Sequence, residues 1–123
     1  MDGKLRECLP GQELVFVRTM HQAIAALRRD GFRLLVIDLT FDESRMFELL
    51  QYARGLKKYR DVPAVCVYGD YLNLSEAVVR SLDVAVKALG GVGFIDLRDG
   101  TLDYRVECRR LGAVAAGGSV PPD

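Results

Sequence analysis

The chain has 123 residues, half of them hydrophobic and 28% charged, a composition typical of one globular domain. Its 17 lysine and arginine residues balance 17 aspartate and glutamate residues. This balance argues against nucleic acid or an anionic membrane surface as a partner. No window is apolar enough to span a membrane, and the N-terminal MDGKLREC lacks the apolar core of a signal peptide. We therefore expect a cytoplasmic protein.

The three cysteines, Cys8, Cys66 and Cys108, lie far apart and form no CxxC pair. An odd number without such spacing argues against both a disulfide framework and a zinc site. Cys66 lies in an apolar run and Cys108 in an alternating one, where a small buried hydrophobic residue is the favoured interpretation.

Near-continuous apolar runs rich in β-branched residues predict strands at residues 13–18, 32–39 and 63–68. Such runs, unlike alternating ones, are typical of parallel strands that are covered on both faces. The first dozen residues hold a weaker candidate strand at residues 4–9, followed by a turn at Pro10-Gly11.

Helical patterns separate these strands. The first helix is predicted over residues 20–29, with Thr19 as its N-cap, and the second over residues 43–58. The third is predicted to begin after the N-cap Ser75 and to end at Gly90-Gly91. The alternating order predicts an α/β fold with a mostly parallel sheet in two or three layers.

The pattern changes in the last third of the chain. A short strand is predicted at residues 93–98, a hairpin turn at Asp99-Gly100, and an antiparallel strand at residues 101–109, which alternate between apolar and charged side chains. Residues 112–123 are predicted to be a flexible tail or linker, so that residues 1–111 form a single domain.

Right-handed crossovers between strands laid down in sequence order would place all three helices on one face of the sheet. The strands are nevertheless apolar on both faces. The second face must therefore meet the C-terminal hairpin, the tail or another molecule, and we expect a homodimer through that face.

Carboxylates are concentrated where the predicted strands end, which is where open α/β sheets bind ligands. They are Asp38, Asp42, Glu43, Asp70 and Asp96. Oxygen ligands of this kind suit Mg²⁺. The structural alternative is that Asp42 and Glu43 begin a helix, where negative charge suits the helix dipole, and that Asp70 lies in a turn.

Residues 30–50, DGFRLLVIDLTFDESRMFELL, resemble the third strand, phosphoacceptor loop and following helix of the receiver domain of two-component response regulators. Asp38 falls on the phosphoacceptor position. Residues 61–69, DVPAVCVYG, resemble the fourth strand, with Pro63 at the family's usual proline, and residues 90–97, GGVGFIDL, resemble the entry to the fifth. The resemblance implies an incomplete flavodoxin-like (CheY-like) fold and a role in bacterial signalling.

The departures from the family pattern affect its chemistry. No acidic pair follows an apolar run before Asp38, Tyr68 stands where the family has threonine or serine, and Leu97 stands where it has lysine. Phosphoryl transfer depends on such groups and on the metal ion that the acidic pair holds. The resemblance therefore implies a degenerate pseudo-receiver, truncated at its N-terminus, that needs no cofactor. Its expected partner is a second copy or another signalling protein.

Two other functions stay open. The chain could be a small α/β enzyme or ligand-binding protein that uses the acidic edge formed by Asp42, Glu43 and Asp70, with Mg²⁺ as a cofactor. Less favoured is a working receiver that is phosphorylated at Asp38.

Overall fold

The computed structural model describes residues 2–69, 74–98 and 104–117. The helices within these ranges are α1 (Asp2–Cys8), α2 (Met20–Arg29), α3 (Phe41–Ser44), α4 (Met46–Gly55), α5 (Glu76–Ala88) and α6 (Tyr104–Ala115), with a 3-10 turn at Lys57–Tyr59. The strands are β1 (Leu35–Asp38), β2 (Ala64–Tyr68) and β3 (Gly93–Asp96). No helix among the described residues is long and apolar enough to cross a membrane.

The strands form one sheet in the order β1-β2-β3, and both pairs are parallel. Cys66 in the central strand lies opposite Ile37 of β1 and Phe94 of β3. All five residues of β2 are buried, as expected for a parallel strand that is covered on both faces. The parallel α/β sheet predicted from the apolar runs is confirmed.

Helices cover both faces of the sheet, so the fold has three layers. On one side, α2, α4 and α5 pack against Cys66, and on the other side α1 and α6 pack against Val65 and Val67. The two sets of β2 residues alternate because successive side chains of a strand point to opposite faces. Each face of the sheet thus has its own hydrophobic core.

The second face of the sheet is covered within the chain. Leu5 of α1 and Leu111 and Val114 of α6 are buried against it. The predicted homodimer was based on that face being uncovered, and this structural reason for it is therefore removed.

The caps that the sequence predicts for α2 and α5 are present. The Thr19 hydroxyl accepts a hydrogen bond from the Gln22 N–H at 3.1 Å, and the Ser75 hydroxyl accepts one from the Val78 N–H at 3.2 Å. Gly90 follows α5 with a φ of 90°, a left-handed conformation that favours glycine. These local signals place both helices as predicted.

The predictions for the two ends of the chain were wrong. Residues 4–8, predicted as part of a strand, belong to α1, and residues 13–18 form no regular secondary structure. The predicted antiparallel strand at residues 101–109 is instead helix α6 from Tyr104 onward, and the described strands are all parallel. The predicted turn at Asp99-Gly100 lies outside the described residues.

Helix α6 also corrects the predicted start of the tail. Residues 112–115 form its last turn, and Val114 in this turn is buried. A Cβ added at Gly112 would lie 3.4 Å from the Cys8 carbonyl oxygen, in ordinary van der Waals contact, so α6 runs close to the end of α1 here.

A disulfide bond joins Cys8 of α1 to Cys108 of α6, with their Cα atoms 4.9 Å apart. The prediction against a disulfide was wrong because spacing rules detect nearby cysteine pairs, whereas these two are 100 residues apart. Cys66 is a free, buried thiol as predicted, and its burial raises the pKa of the thiol to about 12.

Candidate functional site at the carboxyl end of the sheet

Asp38 is the last residue of β1 and lies beside Val67 of β2. One of its carboxylate oxygens, Oδ1, accepts hydrogen bonds from the backbone N–H of Thr40 at 2.8 Å and from its hydroxyl at 2.7 Å. This local pattern is an Asx turn, in which an aspartate side chain organises the two residues that follow it. Asp38 therefore shapes the start of the loop after β1.

The second predicted carboxylate, Asp42, binds to the start of helix α2. Its Oδ2 accepts a hydrogen bond from the backbone N–H of Met20 at 2.6 Å, at the start of α2, and lies 3.6 Å from the Arg45 guanidinium. A carboxylate at a helix N-terminus is stabilised by the unpaired N–H groups there. Asp42 thus connects the loop to α2, while Glu43 is exposed.

The backbone of this loop is left-handed at three consecutive non-glycine residues. The φ angles are 41° at Asp42, 60° at Glu43 and 67° at Ser44. Each such residue costs on the order of 1 kcal/mol or more. These conformations divide the helix that the sequence predicted over residues 43–58, so that α4 begins only at Met46.

Asp96 at the end of β3 is neutralised by a neighbour. Its carboxylate accepts hydrogen bonds from Nε of Arg98 at 2.9 Å and from the backbone N–H of Arg98 at 3.0 Å. This hydrogen-bonded pair, in which both side chains are about 85% buried, raises the pKa of the Arg98 guanidinium. The guanidinium also donates to the Leu74 carbonyl at 3.3 Å.

Sequence reasoning missed a cation at this edge. The Lys4 ammonium of α1 donates to the carbonyl oxygens of Gly69 at 3.1 Å and Leu97 at 3.0 Å. Leu97, where the resemblance expects a lysine, has a fully buried side chain. No sequence signal connects Lys4 with the ends of β2 and β3, because 65 and 93 residues separate it from these partners.

Tyr68 stands where the resemblance expects a small hydroxyl side chain. It is fully buried and belongs to the core on the side of α2, α4 and α5. The Arg98 guanidinium carbon lies 5.9 Å from the centre of its ring, within the range of a cation–π contact. The last residue of β2 therefore contributes a large core side chain.

The predicted acidic edge does not converge on one point in the described part of the chain. Asp38 bonds to its own loop, Asp42 to α2, and Asp96 to Arg98, while Asp70 lies outside the described residues. Within residues 2–69, 74–98 and 104–117, no group of three or more His, Cys, Asp or Glu side chains could hold a metal ion. The described carboxylates thus form no cluster of three or more side chains around one point.

No family model and no curated protein matches this sequence. Its structure is similar to the signal receiver domain of the DNA-binding response regulator merR from Colwellia psychrerythraea 34H, with 12% identity, a TM-score of 0.67, and coverage of 94% of this chain and 85% of that one. It is also similar to the phosphorylated cyanobacterial phytochrome response regulator RcpA, with 15% identity, a TM-score of 0.66, and coverage of 98% and 90%. The chain therefore has the fold of response-regulator receiver domains, as the sequence resemblance implied.

Proposed function

We propose that this chain is a non-catalytic signalling module with a receiver fold, which acts through contacts with other proteins in the cytoplasm. The observation that carries the proposal is that the side chains at the strand ends are engaged in local hydrogen bonds, an ion pair and core packing. Thr40 binds an oxygen of Asp38, Arg98 neutralises Asp96, and Tyr68 is buried in the core. Phosphoryl transfer depends on positioned metal ligands and charged groups, and these side chains serve local structure instead.

An exposed face of α5 supports the proposal that the chain acts through contacts with other proteins. Ala77, Ser81, Val84 and Ala88 are all exposed, and their spacing places them along one side of the helix. Val84 is 67% exposed, and the exposed side chains of Arg80 and Lys87 both lie along one flank of this uncharged stripe. A helix face of this kind can contact a partner protein.

The alternative of an enzyme or small-ligand binder has less support. A cavity of about 690 Å³ lies between α1 and α6, where Cys8, Arg105 and Arg109 are among the lining residues. The strand-end residues Asp38 and Asp42 do not line it. The described carboxylates on which that alternative rests, Asp42 and Glu43, thus do not line this cavity.

The test is an amide NMR titration of the chain with Mg²⁺ and then with beryllofluoride, a mimic of the phosphoryl group. We expect no shifts clustered at Asp38, Tyr68 and Gly69. A receiver domain that is known to accept phosphate, titrated in parallel, controls for the reagent. Saturable shifts clustered at those three residues would contradict the proposal and favour a phosphorylatable receiver.

A further inference from the structure

The edge of β1 that points away from β2 carries unpaired backbone groups. On the side that faces β2, the Leu35 N–H donates to the carbonyl of Pro63, just before β2, at 2.9 Å. The Leu39 N–H donates to the carbonyl of Val67 in β2 at 2.8 Å. Because strand residues alternate in the direction of their backbone groups, the N–H and C=O of Val36 point to the opposite edge. Within the described residues, no backbone hydrogen bond forms on that edge.

The opposite end of the sheet is protected. The Phe94 N–H on the outer edge of β3 donates to the Asp83 carboxylate of α5 at 2.9 Å. Asp83 in turn pairs with Lys87 at 2.8 Å. Charged side chains over an edge strand prevent it from pairing with another chain. The chain therefore blocks one edge of its sheet and leaves the edge at β1 open.

Residues 13–17, which we call the edge segment, precede α2, whose first N–H donates to Asp42 in the loop after β1. Leu14 and Phe16 pack in the same core cluster as Val36, on the side of α1 and α6, whereas Val17 packs in the cluster on the other side. The segment thus contributes side chains to the hydrophobic cores on both faces of the sheet. Its sequence, ELVFV, is as apolar and β-branched as the three strands.

The edge segment has unpaired backbone groups as well. The hydrogen bonds that border it run from the Gln12 N–H to the Leu9 carbonyl and from the Arg18 N–H to the Gln22 side chain. Among the described residues, the backbone of residues 13–17 forms no hydrogen bond between these two. Val15 at its centre is 53% exposed.

We propose that a second copy of this chain binds at the open edge, with the edge segment of each copy pairing with β1 of the other. One chain carries both halves of the contact, an unpaired strand edge and an unpaired strand-forming segment, so a two-fold axis makes each contact twice. Pairing would satisfy both rows of backbone groups and bury Val15. This names the partner for the proposed function, and it is an edge contact rather than the contact through a sheet face that the sequence suggested.

The first test is the oligomeric state of the full chain, measured by light scattering and sedimentation over a wide concentration range. We expect a reversible dimer, and we expect Val15→Lys to raise its dissociation constant by roughly tenfold or more, because a charged side chain would then be buried against the apolar β1 of the other copy. The matched control is Val106→Lys, at a valine of α6 that is 39% exposed and lies in neither proposed contact surface, and this variant leaves the dimer unchanged. A chain that is monomeric at every concentration would overturn the inference.

Hydrogen exchange on the unmodified chain tests the same contact without a variant that could fail to fold. The amides of Val36 and of alternate residues of the edge segment should exchange slowly in the dimer and fast on dilution. If these amides exchange fast at all concentrations, or if Val106→Lys and not Val15→Lys breaks the dimer, the edge contact is wrong. In both cases the proposed function stands, since only the beryllofluoride titration decides whether the module is non-catalytic.

Discussion

One oxygen of Asp38 accepts two hydrogen bonds from Thr40, one from its backbone N–H at 2.8 Å and one from its hydroxyl at 2.7 Å. The residue at the phosphoacceptor position of the receiver resemblance thus fixes the loop that follows its own strand. This arrangement makes Asp38 a structural residue whose contribution can be measured.

We expect Asp38→Asn to change the free energy of unfolding by less than about 0.5 kcal/mol, because the amide oxygen can still accept from Thr40. Asp38→Ala removes the acceptor and should cost about 1–2 kcal/mol. Urea denaturation measures both values. Self-association of Asp38→Asn should equal that of the unmodified chain. A signalling activity lost in Asp38→Asn with stability intact would instead favour phosphorylation at this residue.

The disulfide between α1 and α6 should contribute strongly to stability, because it closes a loop over 100 residues of sequence. Cys108→Ser is expected to lower the free energy of unfolding by about 2–4 kcal/mol in non-reducing buffer. Dithiothreitol should lower the stability of the unmodified chain to a similar extent and leave Cys108→Ser unchanged. Alkylation of the denatured, unreduced chain should label Cys66 alone, and labelling of all three cysteines would show that no disulfide forms.

The buried thiol of Cys66 predicts a pH dependence. Burial raises its pKa from 9.0 to about 12, so the folded chain disfavours the thiolate. The resulting stability is fully present below pH 9, the ordinary value, and is lost as the pH rises from 9 towards 12. Iodoacetamide at pH 9 should therefore label Cys66 in urea and not in the native chain. Rapid native labelling would show that the thiol is accessible and its pKa ordinary.

Tyr59 connects the 3-10 turn to the end of α2. Its side chain is fully buried, and its hydroxyl donates to the Leu27 carbonyl at 2.8 Å. Tyr59→Phe keeps the ring and removes this donor from the Leu27 carbonyl, which still accepts from the Lys58 ammonium at 3.2 Å, so we expect a loss of about 1 kcal/mol in the free energy of unfolding. Tyr52→Phe is the matched control, since the Tyr52 hydroxyl accepts from Arg28 at an exposed site. Equal effects of the two substitutions would contradict this account.

The sequence predicted the elements whose signals are local. Thr19 and Ser75 cap helices as expected, and the apolar runs around Ile37 and Cys66 are parallel strands. The run at residues 13–18 has the same composition as those strands, yet it forms none, because a strand exists only when a neighbour pairs with its backbone. Composition carries no information on whether that neighbour is present.

Helix α6 shows a second reason why the sequence pattern predicted the wrong secondary structure. The alternation up to Cys108 predicts a strand, but the buried residues Leu111 and Val114 and the half-buried Cys108 follow helical spacing. This spacing becomes visible only when the window continues past Gly112, which was interpreted as the start of a tail. At the candidate site the carboxylates were found, whereas Lys4 and the pairing of Arg98 with Asp96 were not, since both depend on the fold bringing strand ends and helices together.

Asp83 offers a final test of how the chain protects its sheet. Its carboxylate accepts from the Phe94 N–H on the edge of β3 and pairs with the largely exposed Lys87. Asp83→Ala leaves that edge amide without a partner, and we expect a loss of about 1–3 kcal/mol in the free energy of unfolding together with concentration-dependent aggregation. Lys87→Ala removes only the ion pair and should cost less than about 1 kcal/mol without aggregation. Urea denaturation and light scattering distinguish the two, and if Lys87→Ala matched Asp83→Ala in both, the ion pair rather than the edge amide would be the protecting contact.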